Sequence, residues 1–202
     1  MPIKRISFEA ECLVKAFYTD GLTGPEVATR LNLSVKQVYD SLRRQGIPRK
    51  SLFEQNRIRF EKKPLSFSFK ERLSFREREL LVAGIMLYYG EGAKTGCTVD
   101  FANSDPVLLK LFLKFLRNIC GINEKKLRFY LYCFSDQKSS SLIRFWCSQL
   151  GVERGQFTKP YVRSTSNKGK RTMVSGVLHI RYSDKRLLEK ILSLGRELAS
   201  TL

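Results

Sequence analysis

Apolar residues recur along this chain with two periods, and the period changes near residue 74. Before residue 46 the spacing is helical. Leu13, Val14, Ala16 and Phe17 predict a first helix over about Phe8 to Thr19, stopped by Asp20-Gly21. TGPEVATRL opens a second helix: Thr23 with Glu26 three residues later is a capping box, and Pro25 suits the first turn. SVKQVYDSLRRQG opens a third through Ser34 and Gln37, and Gly46 closes it. Val27, Ala28, Leu31, Leu33, Val35, Val38 and Leu42 tie the second helix to the third. Residues 51–73 hold Pro64 and no clean period. They read as a basic linker with a short helix near Leu52 to Arg59.

From Ser74, with Glu77 in another capping box, the run ELLVAGIMLYY is apolar nearly all round, which predicts a buried helix. It stops at Gly-Glu-Gly. Beyond it a strand, a Ser-Asp pair and a helix recur three times: TVDFANSDPVLLKLFLKFL, LRFYLYCFSDQKSSSLIRFW and VLHIRYSDKRLLEKILSL. Each Ser-Asp pair is expected to supply a helix N-cap. One more strand is expected at QFTKPYVRS. Within the strands the period is two: Leu127, Phe129, Leu131 and Cys133 oppose Arg128, Tyr130 and Tyr132, and Leu178 and Ile180 oppose His179 and Arg181. The fold class is therefore α+β, with a helical module at 1–50, a linker at 51–73, and a mixed domain at 74–202. In that domain a mainly antiparallel sheet is covered by helices on one face and carries basic and aromatic residues on the other.

Charge sharpens the reading. The chain has 202 residues, 37 Lys+Arg against 19 Asp+Glu, and a net charge of +18. Residues 1–70 hold 14 basic against 7 acidic, so the excess is not confined to a tail. Such a balance favours an anionic polymer, nucleic acid first. Five cysteines without a C-x-x-C and a single histidine argue against structural zinc and a disulfide framework; they suit reduced, mostly buried thiols in a cytoplasmic protein. No apolar leader or membrane span is read, no phosphate-cradling glycine loop, and no small-molecule cofactor.

The first fifty residues resemble a resolvase-like helix-turn-helix, with Asn32 where that family usually carries glycine in the turn. The resemblance puts the third helix in a major groove of double-stranded DNA and Lys36, Gln37, Tyr39, Asp40, Arg43 and Arg44 on its outward side. Gln can read adenine, and Arg can read guanine or grip phosphate. In the second domain Arg128, Tyr130, His179 and Arg181 on the open sheet face, with Lys159, Arg163 and the loop residues Lys168, Lys170 and Arg171, are the DNA-binding candidates.

GIMLYYGEG, Gly84 to Gly92, resembles the helix-ending motif of LAGLIDADG homing endonucleases, a likeness that covers roughly Ser74 to Leu202. Glu91 falls at that family's metal-binding acid, and Ala83, Leu87 and Gly90 fall on the helix-pairing face. Met86 stands where the family prefers glycine, and the middle strand-helix copy departs from the family's order. The likeness implies Mg²⁺-dependent phosphodiester hydrolysis with Glu91 as catalytic and metal-binding acid. The basic helper is Lys94, with Lys159 or Arg181 as alternatives. One motif per chain implies a homodimer. His179 is read as a polar residue of the DNA-facing sheet rather than a general base, and Asp100 as a salt-bridge partner rather than a second acid. The rival reading is a non-catalytic DNA-binding regulator with a degenerate nuclease domain. An RNA-binding maturase ranks lower, since a helix-turn-helix suits duplex DNA.

Overall fold

The computed structural model describes residues 6–164 and 174–201. The chain forms two compact units, Met1–Pro64 and Leu65–Leu202. In the first, α1 (Phe8–Thr19), α2 (Gly24–Leu31) and α3 (Val35–Arg44) close on a small core of Val14, Tyr18, Val27, Ala28, Val38 and Leu42. Local chemistry sets the turns. Glu26 reaches back to the Thr23 N–H at 2.7 Å. Ser34 and Gln37 cap α3 reciprocally, at 2.9 and 3.2 Å. Asn32 takes the left-handed conformation at φ 51°, the one non-glycine residue with positive φ among the described residues. A Cβ on Gly24 would come within 2.5 Å of the Tyr39 ring, so α2 and α3 meet there only through a glycine.

The segment expected as a linker divides between the units. Residues 52–62 form α4 (Leu52–Lys62), opened by a Ser51–Glu54 capping box. Lys62 reaches Glu26 at 3.1 Å. Lys50 hydrogen-bonds the Tyr18 and Leu22 carbonyls and lies over the Tyr18 ring. Residues 66–70 instead pair with the second unit: Ser68 N–H donates to the Cys120 carbonyl at 3.0 Å and Lys70 N–H to that of Ile119 at 2.9 Å. Phe67, Phe69 and Leu73 are the reason, since their side chains pack on the larger core.

The second unit is α+β. Its elements are α5 (Phe75–Glu91), β1 (Val99–Asn103), α6 (Pro106–Asn118), β2 (Leu127–Phe134), α7 (Ser139–Leu150), β3 (Tyr161–Arg163), β4 (Val177–Tyr182) and α8 (Lys185–Thr201). The sheet order is β1-β4-β2-β3; β4 pairs antiparallel with both β1 and β2, and β3 runs parallel to β2. Phe101, Leu127, Phe129, Leu131, Leu178 and Ile180 are fully buried between the sheet and its helices. The Phe112 ring stacks on Tyr88 and tilts against Phe101 and Phe115.

Several expectations are corrected. α5 buries only Gly84, Ile85 and Tyr88 along one stripe, toward α6 and α8, and leaves Phe75 and Val82 exposed. Asp105 and Asp184 cap α6 and α8 through the N–H groups of Val107 and Arg186. The middle Ser-Asp does not cap α7: Gln137 closes a turn onto Phe134 first, and the helix starts three residues later, after Lys138. The strand expected at QFTKPYVRS is only three residues long; Pro160 before it lacks a donor. Of the five thiols, Cys120 and Cys133 are buried, while Cys12 and Cys97 are exposed. No helix among the described residues is long and apolar enough to cross a membrane.

Candidate nucleic-acid interface and carboxylate site

Glu91 is the last residue of α5 and is exposed. Its position is set from both sides. The Tyr88 hydroxyl donates to the Ala93 carbonyl at 2.6 Å and accepts the Asp100 N–H at 3.3 Å, which ties the helix end to β1. Burial pushes the Tyr88 phenol up to about 12, so it stays a donor at neutral pH. A Cβ on Gly92 would come within 2.4 Å of the same ring. Asn103, at the end of β1, donates its amide to Glu91 Oε2 at 2.5 Å, and its own oxygen accepts the Asp105 N–H at 2.8 Å. The carboxylate is thus held against the turn that starts α6.

Lys94 lies on the same loop but donates to the Gly92 carbonyl at 3.3 Å, and no ion pair joins it to Glu91 among the described residues. Among the described residues, no group of three or more His, Cys, Asp or Glu is placed to share a metal ion. On α5, Leu87 packs against the core, Ala83 is half-buried, and Gly90 is exposed with nothing within 4 Å of where a Cβ would stand.

The open face of the sheet brings four sequence candidates together. The register aligns Asp100, Arg181 and Arg128 in one row, and Ala102, His179 and Tyr130 in the next. Asp100 accepts Arg181 Nε at 2.8 Å and faces His179 Nδ1 at 2.8 Å. Burial raises the Asp100 pKa. The hydrogen bond and charge of His179 and the charge of Arg181 outweigh this, and the carboxyl ends below its ordinary range. Arg181 lies over the Tyr130 ring at 4.5 Å. Arg128 bends back onto the Lys125 and Leu127 carbonyls, both at 2.7 Å. Further along, Tyr132 and Tyr161 stack at 5.1 Å. Lys159 and Arg163 are exposed beside and on β3. Lys168, Lys170 and Arg171, with the loop they were assigned to, lie outside the described residues.

In the first unit, Lys36 and Arg43 are exposed on α3. Arg44 is exposed as well but is not free: it pairs with Glu11 of α1 at 2.5 Å and staples the bundle. Gln37 commits its amide oxygen to Ser34, which occupies one of the two groups with which a Gln reads adenine. Tyr39 is stacked by Arg49 at 4.1 Å. Together with Arg43, Gly46, Ile47 and Pro48 they line a hollow of about 400 Å³.

Sequence reasoning missed Asn103 and Arg49. An Asn before Ser-Asp signals a turn, but its contact with an acid twelve residues earlier has no local signature. No family model matches the chain, and no curated protein or solved structure matches it.

Proposed function

We propose that the protein is a metal-dependent, site-specific DNA endonuclease of the LAGLIDADG homing type that acts as a homodimer on double-stranded DNA. The observation that carries this reading is Glu91: an acid at the end of a partly buried helix, flanked by glycines, held by Asn103, and next to an unfilled helix face at Gly90. The basic excess and the basic, aromatic sheet face support DNA as the substrate.

The donor chemistry fits a hard cation. One exposed carboxylate per chain suits Mg²⁺, which keeps several waters and takes its remaining ligands from phosphate. Glu91 would hold the ion, and a second copy would bring a second Glu91. When bound, the ion polarises the scissile phosphate and activates water. The chain's own residues do the rest: Asn103 fixes the carboxylate, Tyr88 locks the loop, and Arg181 and Lys36 engage DNA.

The rival, a non-catalytic regulator, is favoured by two contacts. The lone acid already has a partner in Asn103, and Lys94 is turned to the Gly92 carbonyl. Incubation with a randomised plasmid library, with and without Mg²⁺, followed by sequencing of the ends, tests the first reading. Ends that recur at one site and need Mg²⁺ are expected. No cleavage, or ends scattered at random, sinks it.

A further inference from the structure

The Asp100 carboxylate divides its oxygens between two donors: Oδ2 accepts Arg181 Nε and Oδ1 faces His179 Nδ1, each at 2.8 Å. The Tyr130 ring lies 4.5 Å from the guanidinium carbon, and its edge meets the His179 ring. Arg181 is therefore fixed along its inner edge and on one flat side. Among the described residues nothing bonds its two terminal nitrogens, and a hollow of about 380 Å³ opens beside it between Asp100, Ser183 and the loop after Gly92. β4 is an inner strand, so the fork stands between β1 and β2, one residue short of the end of β4.

We propose that Arg181 is a specificity-determining residue that reads a guanine in the major groove, with Asp100 as its positioning residue. This rests on the reading of the open sheet face as a duplex-DNA surface. Two acceptors in one plane, such as guanine O6 and N7, match a guanidinium fork. A phosphate matches the fork too, but not the site. Asp100 offsets the Arg181 charge, so the pair gains little long-range attraction to the DNA backbone, and a phosphate seated there would sit beside a carboxylate. A base edge is neutral and carries no such penalty. The other sheet arginine assigned to DNA, Arg128, spends its guanidinium on its own backbone and is not so presented.

The test is selection of bound duplexes from a randomised pool by the full chain. It is followed by affinities for the selected site and for the site with its guanine replaced, across a salt series, for wild type, Arg181→Ala and Asp100→Asn. The wild type should prefer guanine at one position by about ten- to a hundredfold. Arg181→Ala should erase that preference and leave the slope of log affinity against log salt nearly unchanged. Asp100→Asn, which keeps the side-chain shape, should reduce the preference while binding persists. The proposal is overturned if Arg181→Ala weakens all sequences equally and lowers the salt slope by about one, the behaviour of a phosphate contact. It is equally overturned if wild type and variant select the same sites. A wild type that binds no duplex overturns the DNA reading itself and this inference with it.

Discussion

In both units acids take up many of the basic residues, but the candidate DNA-facing cations are left in different states. In the first, many of the cations that touch anything are consumed by the fold: Arg44 by Glu11, Lys62 by Glu26, and Lys50 by two carbonyls and a tyrosine ring. What remains for a partner on α3 is Lys36, and Arg43, which is exposed but pairs with Asp40 at 3.3 Å. In the second unit Lys70, Arg117, Lys185 and Arg186 pair with acids likewise, but Asp100 holds Arg181 by a single nitrogen, and among the described residues nothing bonds its fork. A net charge of +18 therefore says that an anion is attracted, while the acids decide which cations are left to touch it.

The cores differ as well, and this is where the comparison breaks most readily. Phe112→Ala removes a fully buried ring between Tyr88, Phe101 and Phe115 and should cost the second unit about 3–5 kcal/mol. The chain's single tryptophan, Trp146, is fully buried in that unit, so its fluorescence during denaturation reads that unit alone. Leu42→Ala should cost the first unit about 2–5 kcal/mol by loss of helical circular dichroism and leave the Trp146 midpoint in place. A shift of that midpoint would mean the two cores are not separate.

Within α5 two glycines make a smaller contrast. A Cβ on Gly84 would come within 2.2 Å of the Phe115 ring, so Gly84→Ala should destabilise by about 1–3 kcal/mol in a denaturant titration. Gly90 has open space, so Gly90→Ala should leave the single chain at or above wild-type stability. The same change should weaken self-association in sedimentation if two copies pair on that face. Smaller again, Ser34→Ala removes the α3 cap and should cost the first unit about 1 kcal/mol in its own melting transition.

The smallest effect is acid dependence. The Thr23 N–H bond holds Glu26 at about 2, below its ordinary 4.5. A lowered folded pKa gives stability that is present above pH 4.5 and is lost as pH falls from 4.5 toward 2. Glu26→Gln should flatten the acid limb of the first unit's stability in that window, read by circular dichroism. An unchanged limb would show that the bond does not matter.

The elements were legible where the chemistry is local. Capping residues, the turn at Asn32 and the two-residue alternation in β2 and β4 fixed the helices, the strands and the face that carries Arg128, Tyr130, His179 and Arg181. What stayed hidden depends on long-range pairing. Arg44 looked outward because nothing in its own helix reveals Glu11, thirty-three residues earlier. The exposed side of α5 looked buried because apolar composition does not say on which side neighbours arrive. Residues 66–70 looked like linker because edge pairing with the turn at Ile119–Gly121 has no period.

The central claim is that Glu91 performs chemistry and does not merely mark a helix end. The direct measurement is one titration of wild type and Glu91→Gln on the same selected duplex, with affinity and Mg²⁺-dependent strand cleavage read side by side. The account predicts equal affinity within about twofold and a loss of cleavage of about a hundredfold or more, as expected when a group acting mainly on the transition state is removed. Equal cleavage by both proteins, or no cleavage by either with binding intact, would contradict it.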